Sequence, residues 1–186
     1  MTRVLRLALG PVAALALAGC HAAPAPCAGG MCGKSVAPAR ATFVAAEKVS
    51  EVMAVPVAGK VTVLDFWDTK CAPCLAAMPR WEALWRRADR AEVAFVGVAM
   101  DRSEGEAYGI DVVREQVRTD PRLKVSFPLL YDGEALVLDR IYAVGPSFPR
   151  AVVIDAAGIV IYDSRGEGGD HVAEVQSLLA SLGMVR

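Results

Sequence analysis

Val61-Thr62-Val63-Leu64-Asp65-Phe66-Trp67-Asp68-Thr69-Lys70-Cys71-Ala72-Pro73-Cys74 is a run of apolar residues that ends in two cysteines two residues apart. A helical pattern begins immediately behind it. Val61, Val63, Asp65 and Trp67 fall on one face of a strand, and Leu64 and Phe66 on the other. Apolar side chains on both faces predict a central strand covered on both sides. A strand that delivers Cys-x-x-Cys to a helix N-terminus is a redox device. The first thiol meets unpaired N–H groups and the positive end of the helix dipole, which favour a thiolate. The second lies one turn on, placed to resolve a mixed disulfide. Cys71 is the candidate nucleophile and Cys74 the candidate resolving thiol. Asp65 is the anomaly, because a carboxylate in a central strand is costly without a partner or a task. Burial raises such a group's pKa and lets it exchange a proton near neutral pH. The alternative is a strand-end carboxylate that reaches water.

Asp65-Phe66-Trp67 leading into Cys71-Ala72-Pro73-Cys74 resembles the thioredoxin signature. Over residues 42–186 the frame is similar to the extracytoplasmic TlpA/ResA-like branch of that superfamily. The resemblance implies an α/β thioredoxin-like fold, a central mixed β-sheet flanked by helices, with a TlpA-type insertion. It implies that Asp65 serves the resolving thiol. It also places a cis-proline six residues before the Asp that closes a late strand, a frame that Pro149 and Asp155 fit. Pro146 is the rival, and a trans turn proline the bland alternative. The backbone of Phe148 would then lie open opposite Cys71, where an extended polypeptide adds main-chain hydrogen bonds. Trp67, Lys70, Pro73 and Phe148 are expected at the substrate-binding rim. Two departures stand out. Lys70 occupies a place where most relatives carry Trp; its cation either stabilises the Cys71 thiolate or is simply solvated. Ala77 stands where this branch often has Glu, and Asp65 where it often has Asn, so the buried acid is expected to come from the strand instead of the helix.

The segment before this domain reads as targeting and tether. Arg3 and Arg6 precede an apolar core, Leu7 to Leu17, of only 11 residues. A bilayer span needs roughly 20, so this is a cleaved signal and not a transmembrane helix. Leu17-Ala18-Gly19-Cys20 resembles a bacterial lipobox, which implies a signal peptide over 1–19 and lipidation of Cys20; ordinary cleavage near Ala18 is the alternative. His21 in place of Asp hints at outer-membrane sorting. Residues 20–41 have the Ala/Pro/Gly composition of a tether. Cys27 and Cys32 within it read as a local disulfide suited to an oxidising compartment, with a second redox pair as the other reading.

Farther along, Phe43, Ala46, Val49 and Met53 predict a helix over 42–54, N-capped by Thr42. A helix is expected from about Pro73 to Ala91, with Leu75, Met78, Trp81, Leu84 and Trp85 inward and Pro79 kinking it. Val93 to Met100 reads as a strand, Ser103 to Gly109 as a loop, Ile110 to Thr119 as a helix and Phe127 to Tyr131 as a short extended piece. Glu134 to Val144 reads as a helix. Strands Arg150–Asp155 and Ile159–Tyr162 form a hairpin through Ala156-Ala157-Gly158. A last helix, capped by Asp170 and closed by Gly183, buries Val172, Val175, Leu179 and Leu182. His171 beside that cap reads as a surface residue.

Composition narrows the function classes. Arg3 and Arg6 are the only charges before residue 20, so the mature chain keeps 18 basic against 21 acidic side chains. That balance gives no basic stripe for nucleic acid. With two histidines, no His-based metal or hydrolase site is expected, and no cofactor or metal is called for. Leu75 after Cys74 excludes haem attachment, and the Thr-x-x-Cys peroxidatic setting is absent. The expectation is a membrane-anchored extracytoplasmic thiol–disulfide oxidoreductase, lipid-anchored to a bacterial membrane. Its partners would be exported protein thiols and disulfides and a membrane electron donor. Cytochrome c maturation, copper-site assembly and general thiol maintenance are the tasks that relatives with this layout perform. A disulfide-forming oxidant and a Cu(I)-binding metallochaperone are the alternatives.

Overall fold

The computed structural model describes residues 27, 29–44, 52–101, 109–133, 137–166 and 168–186. The expected signal segment, Cys20, His21, Ala46, Val49, Ala135 and most of the expected 103–109 loop lie outside the described residues.

The sheet is built around β3 (Val61–Trp67) and β4 (Val93–Ala99), whose residues are all buried. These two strands run parallel, joined by α1 (Ala72–Arg87). The seven-stranded order is β2-β1-β5-β4-β3-β6-β7. Here β1 is Ala39–Phe43, β2 Val52–Val55, β5 Leu129–Tyr131, β6 Arg150–Ile154 and β7 Val160–Asp163. β5 continues the parallel set beside β4, while β1, β2, β6 and β7 pair antiparallel with their neighbours. The mixed sheet flanked by helices is the architecture expected.

The period-two alternation of β3 divides two cores. Val61, Val63 and Trp67 pack with α1, with α2 (Ile110–Thr119) and with α4 (His171–Ser181). Leu64 and Phe66 pack on the other face with Leu138 and Tyr142 of α3 (Val137–Tyr142). The β6–β7 turn forms as its sequence implies: Asp155 Oδ1 accepts from the N–H groups of Ala157 and Ile159, and Gly158 takes φ +84°.

Several expectations are corrected. The helix over 42–54 does not form at either described end: Thr42 and Phe43 belong to β1, and Val52–Ala54 to β2. Residues 29–41, of tether composition, lie on the folded body, with Met31, Val36, Ala39 and Ala41 buried in the second core. Cys27 and Cys32 are joined as the local disulfide expected. α1 stops at Arg87, because Ala88 turns extended and bridges to Val185. Leu182 is 45% exposed, lying beyond the last turn of α4. Among the described residues no helix is long and apolar enough to cross a membrane.

Candidate functional site

Cys71 is the N-cap of α1, and its Sγ accepts from the backbone N–H of Cys74 at 3.2 Å. Extended backbone at Cys71 and Pro73 in the first turn start the helix as their residue types favour. No acidic residue occupies that first turn, so no carboxylate of α1 itself opposes the dipole's pull on a thiolate there. Cys71 and Cys74 are joined as a disulfide with Cα atoms 5.2 Å apart. Cys71 is half-buried, and Cys74 is fully enclosed at 0% exposure. One sulfur faces solvent and the other stands behind it.

The turn that carries Cys71 is held from below. Asp101, wholly buried where β4 ends, accepts from the Thr69 hydroxyl and from the Thr69 N–H at 3.3 Å. Gln116 Nε2 of α2 donates to Thr69 O at 3.1 Å. Burial pushes the Asp101 carboxyl above its usual range, and the bond from Thr69 pulls it back. Neither Asp101 nor Gln116 was singled out in the sequence. The available signal was a carboxylate ending an apolar strand at the carboxyl edge of a parallel sheet, where sites form in α/β folds.

Asp65 is 4% exposed and sits in the middle of β3, between Gly97 of β4 and Ala151 of β6. Burial raises its pKa to about 7, against a smaller lowering by its hydrogen bond with Trp81. The carboxyl is not sealed off. A cavity of about 430 Å³ reaches it, lined also by Pro73, Ala77, Trp81, Pro149 and His171. With only a methyl group at Ala77, the helix supplies no acid there, so Asp65 is the sole carboxyl among the described lining residues apart from Asp170 at the rim.

The Phe148–Pro149 peptide bond is cis, as the Asp155 frame implies, and Pro149 lines the same cavity as Pro73. Val55–Pro56 is also cis, which no sequence signal had indicated. Phe148 is half-buried and touches both cores. Pro73 and Lys70 are exposed beside Cys71. Trp67, expected at the substrate-binding rim, is instead completely buried, since its odd-numbered face of β3 points under α1. It can shape the site but cannot touch a docked partner. His171 is corrected too. It is 8% exposed, with Nε2 2.6 Å from the Gly166 carbonyl oxygen, because the Asp170 cap folds the first turn of α4 onto the sheet. Among the described residues no group of three or more His, Cys, Asp or Glu is placed to hold a metal.

The arrangement pairs an accessible capped sulfur with a buried second sulfur and a buried carboxyl of raised pKa, a set that suits two-electron thiol–disulfide chemistry. The family model described as the AhpC/TSA family matches residues 33–163. A thiol-disulfide oxidoreductase, ResA, of Oceanobacillus iheyensis is 33% identical over 88 residues, covering 47% of this chain and 41% of that protein. The curated relatives are matched over only 11 to 60% of their own lengths. Among solved structures, StoA of Bacillus subtilis superposes with a TM-score of 0.59 at 21% identity, covering 76% of this chain and 97% of that one. The pneumococcal exposed lipoprotein thioredoxin of Streptococcus pneumoniae gives 0.61 at 20% identity, covering 78% and 99%. The fold these structures share with this chain is thioredoxin-like.

Proposed function

The chain belongs to the AhpC/TSA family of thioredoxin-like proteins, and from that premise we propose that it is a thiol–disulfide oxidoreductase acting on exported proteins. The observation that carries this reading is the Cys71 sulfur capping α1, with Cys74 enclosed behind it. In the reducing direction the Cys71 thiolate attacks a substrate disulfide, forming a mixed disulfide and releasing one substrate thiolate. Asp65 takes the Cys74 proton. The Cys74 thiolate then attacks Cys71 Sγ, the second substrate thiolate leaves, and the Cys71–Cys74 disulfide remains. Two electrons pass to the substrate; its two thiolates are protonated from solvent, which also receives the Cys74 proton held by Asp65. A membrane electron donor restores the dithiol.

The backbone beside Pro149 is where an extended substrate segment docks, with Phe148, Pro73 and Lys70 around it. Lipid attachment at Cys20 on the extracytoplasmic face is supported by the Leu17-Ala18-Gly19-Cys20 pattern and by the likeness to a protein described as an exposed lipoprotein thioredoxin. The Ala72-Pro73 dipeptide, closer to Gly-Pro than to Pro-His, favours the reducing direction. A redox titration of Cys71/Cys74 below the glutathione poise of about −220 mV agrees with that direction, and one above about −150 mV makes the protein an oxidant.

Trapping tests the activity itself. Cys74→Ser in the full chain should accumulate a covalent, reductant-sensitive adduct through Cys71, and Cys71→Ser should accumulate none. If Cys74→Ser collects no protein adduct, a polypeptide substrate is ruled out.

A further inference from the structure

A buried acid that takes a proton from Cys74 must pass it on before the next turnover. Asp65 is nearly sealed beneath α1, so its route to solvent has to run through the 430 Å³ cavity. Two side chains, each more than nine-tenths buried, line that cavity from different elements: Asp65 from β3 and His171 from α4. Each has one atom without a hydrogen-bond partner among the described residues, Asp65 Oδ2 and His171 Nδ1. The other half of each group is engaged. Trp81 bonds the Asp65 carboxyl, and His171 Nε2 meets Gly166 O. A carbonyl oxygen only accepts, so Nε2 carries the ring proton and Nδ1 is left as a free acceptor. Two unmatched buried polar atoms on one cavity of this size are the setting in which bridging water is expected.

We propose that His171 is the proton relay of the redox site, exchanging protons with Asp65 through water in this cavity. The proposal rests on the reading of Cys71, Cys74 and Asp65 as working parts. Cys74 gives its proton to the Asp65 carboxylate and becomes the attacking thiolate. The Asp65 carboxyl then releases the proton to cavity water, His171 Nδ1 takes it, and the imidazolium loses it to solvent at the rim. The rim is formed by Arg80 and Asp170, paired at 2.6 Å and each about half exposed. When the disulfide is reduced again, the proton enters by the same path.

The charged and titratable groups facing this path are few. α1 contributes Arg80; α4 and its N-cap contribute His171, Asp170 and, behind them, Glu174, which accepts from Tyr162 Oη at 2.6 Å. β3 contributes only Asp65, and the loop into β6, which lines the cavity with Pro149, contributes none. The raised pKa of Asp65, about 7, lies where imidazoles exchange protons readily.

The test follows repeated turnover of a fluorescent peptide disulfide by the full chain with excess reductant, from pH 5 to 9, beside a single resolution of its mixed disulfide. The chains compared are wild type, His171→Ala, His171→Gln and Asp65→Asn. His171→Gln keeps a donor for Gly166 O but cannot carry a proton. Both His171 variants should slow repeated turnover by about tenfold, less than the roughly 10²–10⁴-fold of a direct general acid or base, and leave the first resolution at the wild-type rate. Added imidazole should restore His171→Ala, while the inflection near pH 7 persists in both. Asp65→Asn should abolish that inflection. Wild-type turnover in both His171 variants, or a slow His171→Ala that imidazole does not restore, overturns the relay. If Asp65→Asn is slow in that case, the redox reading survives. If Asp65→Asn also runs at the wild-type rate with its inflection intact, the role given to Asp65 falls with the relay.

Discussion

At Asp65 a single side chain sets stability against chemistry. The folded protein holds this carboxyl's proton until about pH 7, whereas its ordinary value is 3.8. Between those values the unfolded chain has already released the proton and so binds fewer protons than the folded one. Stability therefore falls as pH rises through that window, and the cost is complete above about pH 8. Its size is on the order of 4 kcal/mol, from 1.36 kcal/mol for each tenfold change in proton affinity. Asp65→Asn removes the ionisation and should stabilise the protein by about 2–4 kcal/mol at pH 8 in urea unfolding, with the gain shrinking toward zero near pH 4. An equal effect at both pH values would mean the carboxyl is not carrying this charge. Asp65 could be found from the sequence because an acid in an apolar run has few explanations. His171 could not, because a histidine after an Asp cap looks solvated until the packing of α4 is known. Trp67 shows the two sequence signals in conflict: the resemblance implies the substrate-binding rim, whereas its place on a strand covered on both sides implies the burial that is found.

Elements with strong periodicity were legible, and those whose pattern is shared between two structures were not. β3, β4, α2 and the β6–β7 hairpin follow from apolar spacing and turn residues. Phe43, Ala46, Val49 and Met53 also suit a helix, yet β1 and β2 fall on the described ends of that stretch. There Ala39 and Ala41 of β1 enter the second core, and Arg40 between them is exposed. Short small-residue strands leave little hydrophobic signal of their own. A buried ion pair ties the element just before β1 to the site. Arg150, which follows Pro149, and Asp163 of β7 are both 0% exposed. Arg150 Nε donates to Asp163 Oδ1 at 2.9 Å, with Nη2 2.8 Å away as an ion-pair contact. The second oxygen of Asp163 accepts from Met31 N at 3.0 Å, inside the Cys27–Cys32 loop. Gly29 passes so near that carboxylate that a Cβ would run into it. Asp163→Ala should cost about 3–5 kcal/mol, the usual penalty for stranding a buried charge. The double change Arg150→Met/Asp163→Leu should recover most of that, but not the roughly 1 kcal/mol held by the Met31 N–H. Chemical denaturation of the three chains decides it: a double variant no better than Asp163→Ala would show that the pair organises more than its own charges.

Across the whole molecule, the N-terminal segment is the part that changes the expected architecture. A boundary at residue 42 follows from composition, but the folded body begins earlier. Gly33 N donates to Val160 O and Val36 N to Gly158 O along the β7 edge, and β1 then inserts between β2 and β5 at the other side of the sheet. The segment thus crosses the second face from one sheet edge to the other. Among the described residues β2 pairs with β1 alone. Under the anchoring proposal, only six residues lie between Cys20 and Cys27, a reach of at most about 25 Å. Cys27, and the β7 edge that its loop bonds, would then lie within that distance of the anchor. A chain starting at residue 42 should lose the buried side chains of Met31, Val36, Ala39 and Ala41 together with the pairing of β2. At about 25 cal/mol per Å² of apolar surface, that amounts to several kcal/mol. A chain starting at Cys27 keeps them all. Thermal melting should separate the two clearly, with the chain from 42 melting lower and binding a hydrophobic dye, because the Leu64 and Phe66 face loses its cover. Equal melting temperatures would return residues 27–41 to the tether and leave β1 without a structural task.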